Sequence, residues 1–222
     1  MTVLFTRNKK SLFLKGSFLL WGSPVAFILS VISSLTAPAP AQAQTDFFTR
    51  LSDAALERTT HHITYDPAYV RLKYPHGDVA PNKGVCTDVV IRSYRQLGID
   101  LQQLIHEDMV RNFSLYPSTR IWGLKKPDKN IDHRRVPNMQ VFFARYGKQL
   151  PVTANPDDYK TGDLVTWMLK GNRPHIGIVT YLRSKTSNNP LMVHNVGDGP
   201  KLQDILFIYK ITGHYRYNPF NR

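Results

Sequence analysis

Residues 161–211 read TGDLVTWMLKGNRPHIGIVTYLRSKTSNNPLMVHNVGDGPKLQDILFIYKI, and this stretch decides the fold class. Four runs in it, DLVTWML (163–169), HIGIVTYL (175–182), LMVHNV (191–196) and ILFIYKI (205–211), are rich in β-branched and aromatic residues. Such side chains suit a pleated, half-buried surface. Turn formers separate the runs at Gly171-Asn172, Ser187-Asn188-Asn189-Pro190 and Gly197-Asp198-Gly199-Pro200. Links this short join antiparallel neighbours, so the four runs are predicted to form an antiparallel meander.

Upstream, the apolar period lengthens. A helix is predicted over about Asp46 to Thr60, with Asp46 as its N-cap and Phe47, Leu51, Ala54 and Ala55 on one face. Residues 63–85 are dense in Pro, Gly, Tyr and Asp and read as loop. TDVVIRSYRQL (87–97) then sets Val90, Tyr94 and Leu97 at helical spacing, with Gly98 as a stop. Another helix starts at Asp100, striped by Leu101, Leu104, Ile105 and Met109. Pro117, Gly123, Pro127 and Pro137 break residues 113–137 into loop, and a short helix over about Asn138 to Tyr146 buries Met139, Phe142 and Phe143 before Gly147. Helices first and antiparallel strands afterwards define an α+β class, helices packed on a sheet.

The 222 residues include 29 Lys plus Arg against 16 Asp plus Glu, a net charge of +13, with 42% hydrophobic residues, the balance of a globular protein. The first segment stands apart from the fold. Arg7, Lys9, Lys10 and Lys15 precede an apolar run from Phe18 to Leu35, and TAPAPAQAQ follows. These are the three regions of a secretory signal, which predicts an export segment over residues 1–43 and a single domain over 44–222. Cleavage after Ala43 or Ala41 fits; cleavage after Ala39 would leave Pro40 first. The mature chain would have 179 residues and a charge of +9, since the four basic residues leave with the segment. The protein is expected to be periplasmic or secreted and monomeric, with membrane attachment only if the segment stays uncleaved. Nucleic acid is excluded as a partner by export and by the lack of a recognition motif. Anionic envelope polymers suit the basic excess, which peaks between Lys125 and Arg135.

Cys86 is the only cysteine, so no internal disulfide exists, and an exported free thiol is either buried or useful. It stands where loop turns into helix. Unpaired N–H groups and the helix dipole there favour a thiolate and can hold an oxyanion. A nucleophilic Cys needs a base and an orienting group. His175 opens PHIGIV on one predicted strand, and His194 lies in MVHNV on the next, about 5 Å away. Asn195 is the alternative third member, because alternation lets only one of 194 and 195 face His175. Asp88, in the first helical turn, reads as dipole chemistry.

Cys86 at a helix start, then TGDLVTW, PHIGIV and MVHN, resembles the NlpC-type and CHAP-type papain-like cell-wall hydrolases. The resemblance implies that Cys86 is the nucleophile, His175 the base and His194 the orienting residue. It also implies that Gly162-Asp163 introduces a strand and that Tyr74, a dozen residues before the Cys, assists the oxyanion. The chain departs from that pattern at Val85-Cys86-Thr87, at Pro75-His76-Gly77-Asp78 and in the long insertion from Gly98 to Thr161. Over residues 46–216 the chain resembles the YijF-like exported bacterial proteins, through YDPAYVRLKYPHGDV (65–79), GVCTDVVIRSYRQLGIDLQ (84–102) and NIDHRRVPN (130–138). That family implies no activity of its own.

Together these imply a papain-like, NlpC-related domain that hydrolyses an amide bond in peptidoglycan without a cofactor. In NIDHRRVPN, Asp132, Arg134 and Arg135 read either as a clamp for substrate carboxylates or as an internal salt bridge. His133 with Asp132, or His61-His62 with Asp66, lacks the spacing of a metal site. The alternative function is a catalytically silent envelope-binding module with Cys86 in its core.

Overall fold

Apolar side chains at helical spacing, with polar ones between them, give the first layer. In the computed structural model, which describes residues 40–220 and the side chains of 46–220, α1 spans Pro40–Arg58, α2 Cys86–Gln96 and α3 Leu101–Asn112. After these come α4, Ser118–Trp122, and α5, Val136–Tyr146. Residues 1–39 of the predicted export segment lie outside the described residues, and its last four open α1. Because α1 starts at Pro40, Asp46 sits inside the helix and is not its N-cap. Asp100, by contrast, caps α3 by accepting the Gln102 N–H. Among the described residues, no helix is long and apolar enough to cross a membrane.

The strands are β1 (Thr64–Tyr65), β2 (Lys83–Gly84), β3 (Lys148–Leu150), β4 (Leu164–Leu169), β5 (Arg173–Arg183), β6 (Pro190–Asn195), β7 (Pro200–Gln203) and β8 (Lys210–Arg216). β3 to β8 form one antiparallel sheet in the order β3-β8-β4-β5-β6-β7. β1 and β2 pair separately, and parallel. The architecture is therefore α+β, with helices on an antiparallel sheet.

Strand alternation divides the core in two. Leu164, Ile176, Ile178 and Val193 join Leu51, Val90, Tyr94, Ile105, Met139 and Phe143 from the helices. Val165, Trp167, Leu169, Val179 and Met192 point the other way, into a smaller cluster closed by Tyr159 and Leu206. This second cluster corrects one prediction. ILFIYKI is not a strand: β7 precedes it, β8 starts only at Lys210, and residues 205–208 turn. Ile205, Leu206, Tyr209 and Ile211 of this run cover the outer face of the sheet, where the Leu206 carbonyl accepts the Trp167 indole N–H at 2.9 Å.

Gly162 and Asp163 do introduce β4. Gly162 has φ +79, and a side chain there would meet the Phe48 ring at 2.6 Å. Asp163, fully buried, is held by His214 Nε2 and Arg216 Nε, both at 2.7 Å, and so ties the start of β4 to the last strand.

Candidate active site

Cys86 is the first residue of α2 and is 5% exposed. The preceding chain is fixed by a local exchange: the Val85 N–H donates to Asp88 Oδ2 at 2.7 Å. Burial pushes the Cys86 thiol up to about 12; backbone N–H groups of Ile176, Thr87 and Cys86 pull towards the thiolate, and the Asp88 carboxylate opposes them. The sulfur is thus cradled by donors but desolvated, and desolvation wins.

His175 and His194 meet as alternation requires. His175 Nε2 lies 3.0 Å from His194 Nδ1, both residues being 2% exposed. His194, and not Asn195, is the partner: the Asn195 side chain turns to the other face, where its amide donates to the Gly84 carbonyl. Burial, then His194, then Arg173 lower the His175 imidazole to about 3. Burial also lowers His194. Both rings are neutral at pH 7, one nitrogen of the pair donating to the other.

The three predicted residues are not joined. Cys86 packs with Ile176 on the helix side of β5, whereas His175 leaves the strand on the opposite face, its ring 5.8 Å from Trp167. Among the described residues the thiol makes no hydrogen bond to either imidazole. The Ile176 N–H facing the sulfur nevertheless sets His175, the adjacent residue, beside it in the chain. The β5–β6 ladder starts only at Ile178, so this end of β5 is unpaired on that side.

Tyr74 lies elsewhere. Its ring meets His106 edge-on at 5.0 Å, and Lys129 stands over it. The tyrosine that senses the thiol is Tyr65, whose hydroxyl is held protonated by burial first and by Cys86 next, with Arg173 opposing. Its strand pairs Tyr65 with Gly84, two residues before the cysteine. No local pattern marks Tyr65, since a parallel two-residue pairing across eighteen residues leaves no periodicity.

Arg134 is not a clamp for substrate. Its Nε and Nη2 fork onto Asp88 Oδ1 and Oδ2 at 3.0 and 2.9 Å, and the two side chains are 2% and 4% exposed. Its remaining N–H groups donate to the Ala68 and Asp66 carbonyls, and its own carbonyl accepts from Thr87. The long insertion therefore braces the start of the Cys helix. Asp132 is buried with its carboxyl pushed up to about 6, and Arg135, 3.7 Å from it, stacks on Trp122. Asp66 pairs with Lys83 at 2.7 Å and His61 with Glu57 at 2.8 Å, so these residues do not converge; among the described residues no metal-binding group is found.

The buried histidines predict how stability varies with pH. His133, like His175, is lowered by burial to about 3. Unfolding restores an ordinary imidazole, so protons favour the unfolded chain below pH 6.5. Stability is then expected to fall as pH drops from 6.5 towards 3, by at most about 1.4 kcal/mol per pH unit for each ring. Urea midpoints between pH 7 and 4.5 measure the slope, and His175→Gln should remove about one proton's share of it. An unchanged slope would mean that His175 is not neutral and buried.

The sequence matches the family described as Domain of unknown function (DUF1287) over residues 52–217. It is also 46% identical over 190 residues to "Uncharacterized protein YijF" of Escherichia coli (strain K12), covering 85% of this chain and 90% of that protein.

Proposed function

For a chain that belongs to the DUF1287 family, we propose a papain-like, NlpC-related cysteine hydrolase, exported to the periplasm or beyond, that cleaves an amide bond in peptidoglycan. The observation that carries this reading is the His175–His194 hydrogen bond on β5 and β6, one residue along the chain from Ile176, whose N–H faces the sulfur of a helix-start cysteine. His175 spends Nε2 on His194, which leaves Nδ1 for the proton of a nucleophile.

In this mechanism, substrate entry rehydrates or repolarises the site and removes the burial that dominates the thiol, while the N–H donors remain. This step requires the His175 ring to move from the outer face of the sheet to the sulfur, past the unpaired end of β5. His175 takes the Cys86 proton, the thiolate attacks the carbonyl carbon, and the helix-start N–H groups hold the oxyanion. The C–N bond breaks as the amine takes the proton from His175, leaving a thioester. Water, deprotonated by His175, releases the acid and restores the thiol. Tyr65 stands nearer the reaction than Tyr74 and replaces it as the assisting hydroxyl.

A second reading has its own support. The buried, protonated thiol is what a silent envelope-binding module would hold as a core residue. Digestion of purified sacculi by wild type and by Cys86→Ala, with released fragments weighed by mass spectrometry, separates the two. Fragments released by wild type alone are the expected result. Release by both would remove Cys86 as nucleophile, and release by neither, with both folded, favours the module.

A further inference from the structure

We propose that the surface of α4 and the loop after it docks on an anionic phospholipid bilayer. Independently of the hydrolase reading, three apolar side chains stand out on α4 and the turn just before it: Leu115 is 54% exposed, Ile121 43% and Trp122 36%. Arg120, Lys125 and Lys126 are exposed among them. The one acid between residues 110 and 129 that is not in α3 is Asp128, and it is occupied by the Tyr69 hydroxyl and the Asn130 N–H.

The presentation is rigid. Gly123, at φ +65, closes α4 by donating to the Thr119 carbonyl, and the Thr119 hydroxyl donates to the Leu124 carbonyl. Ser118 is buried and bonded to Asn138 of α5. The Arg135 guanidinium, itself paired with Asp132, sits 4.0 Å over the Trp122 ring and fixes the indole. Leu115 and Arg120 line one shallow groove with Val141.

Charge alone would suit any polyanion. The aliphatic side chains decide for a bilayer, because a hydrated polymer offers them nothing, whereas the headgroup boundary buries them while lipid phosphates meet the cations. An indole at the edge of such a patch sits where tryptophan partitions best.

The test uses the full chain with vesicles of phosphatidylglycerol and phosphatidylethanolamine carrying brominated acyl chains, which quench inserted indoles. Trp122→Phe identifies the signal of Trp122 against Trp21 and Trp167. Quenching of Trp122 is expected in anionic vesicles and not in phosphatidylcholine. Lys125→Glu with Lys126→Glu should weaken partitioning at least about tenfold. Ile121→Ser, which leaves the charge unchanged, should weaken it too. No Trp122 quenching, equal quenching in phosphatidylcholine, or indifference to Ile121→Ser would overturn the proposal. So would retention on sacculi without any Trp122 quenching, which would make a polymer the partner. The wild-type comparison of lipids holds even if a variant misfolds.

Discussion

Iodoacetamide is expected to alkylate Cys86 about a thousandfold more slowly in the folded protein near pH 7.5 than in the urea-unfolded chain. Only the thiolate reacts. Burial moves the thiol from 9.0 to about 12, so three decades of thiolate population are lost on folding. Mass spectrometry of timed samples gives both rates. A folded rate within tenfold of the unfolded one would show that the N–H donors offset most of the desolvation, contrary to the balance described above. The same assay tests the proposed chemistry. Soluble stem-peptide fragments at saturation should raise the folded rate if substrate repolarises the site, and His175→Ala should abolish that rise. A module with a core cysteine would show neither change.

Replacing Arg134 with Met is expected to destabilise the protein by about 3–5 kcal/mol. The guanidinium is the charge partner of an Asp88 carboxylate that is 4% exposed, and the substitution leaves that carboxylate buried and uncompensated. Most of the loss should come from the orphaned charge and not from the missing attraction. Arg134→Met combined with Asp88→Leu should therefore recover a large share of it, although the Val85 N–H then loses its acceptor. Urea denaturation of the two variants measures both. A single-variant loss under 1 kcal/mol would mean that the fork does not brace α2.

Much of this fold is legible in the sequence wherever one face of an element is buried. Val90 and Tyr94, Leu101 with Ile105 and Met109, and Phe142 with Phe143 repeat at the helical period because α2 and α5 pack on the sheet and α3 packs on them, and all are buried. Alternation shows that only one of His194 and Asn195 can face His175, and the structure selects His194. ILFIYKI misleads for a physical reason: a loop that covers a sheet must be as apolar as a strand within it. Tyr65 and the Asp88–Arg134 fork were hidden because both depend on contacts between distant segments. Charge type shows that an Arg seeks a carboxylate, but not whether that carboxylate belongs to a ligand or to the chain itself.

The sheet order carries a consequence for synthesis. β8, the last strand, lies between β3 and β4. Until residues 210–216 are available, β3 has no partner, β4 has an open edge, and Asp163 lacks both of its cations. The sheet therefore closes only when residues 210–216 have been made. Truncation before Lys210 removes a central strand, where the loss of a peripheral one such as β7 would spare the rest. For a polypeptide that must thread a membrane pore unfolded, as export would require, a sheet that waits for residues 210–216 keeps the preceding strands loose until passage is under way.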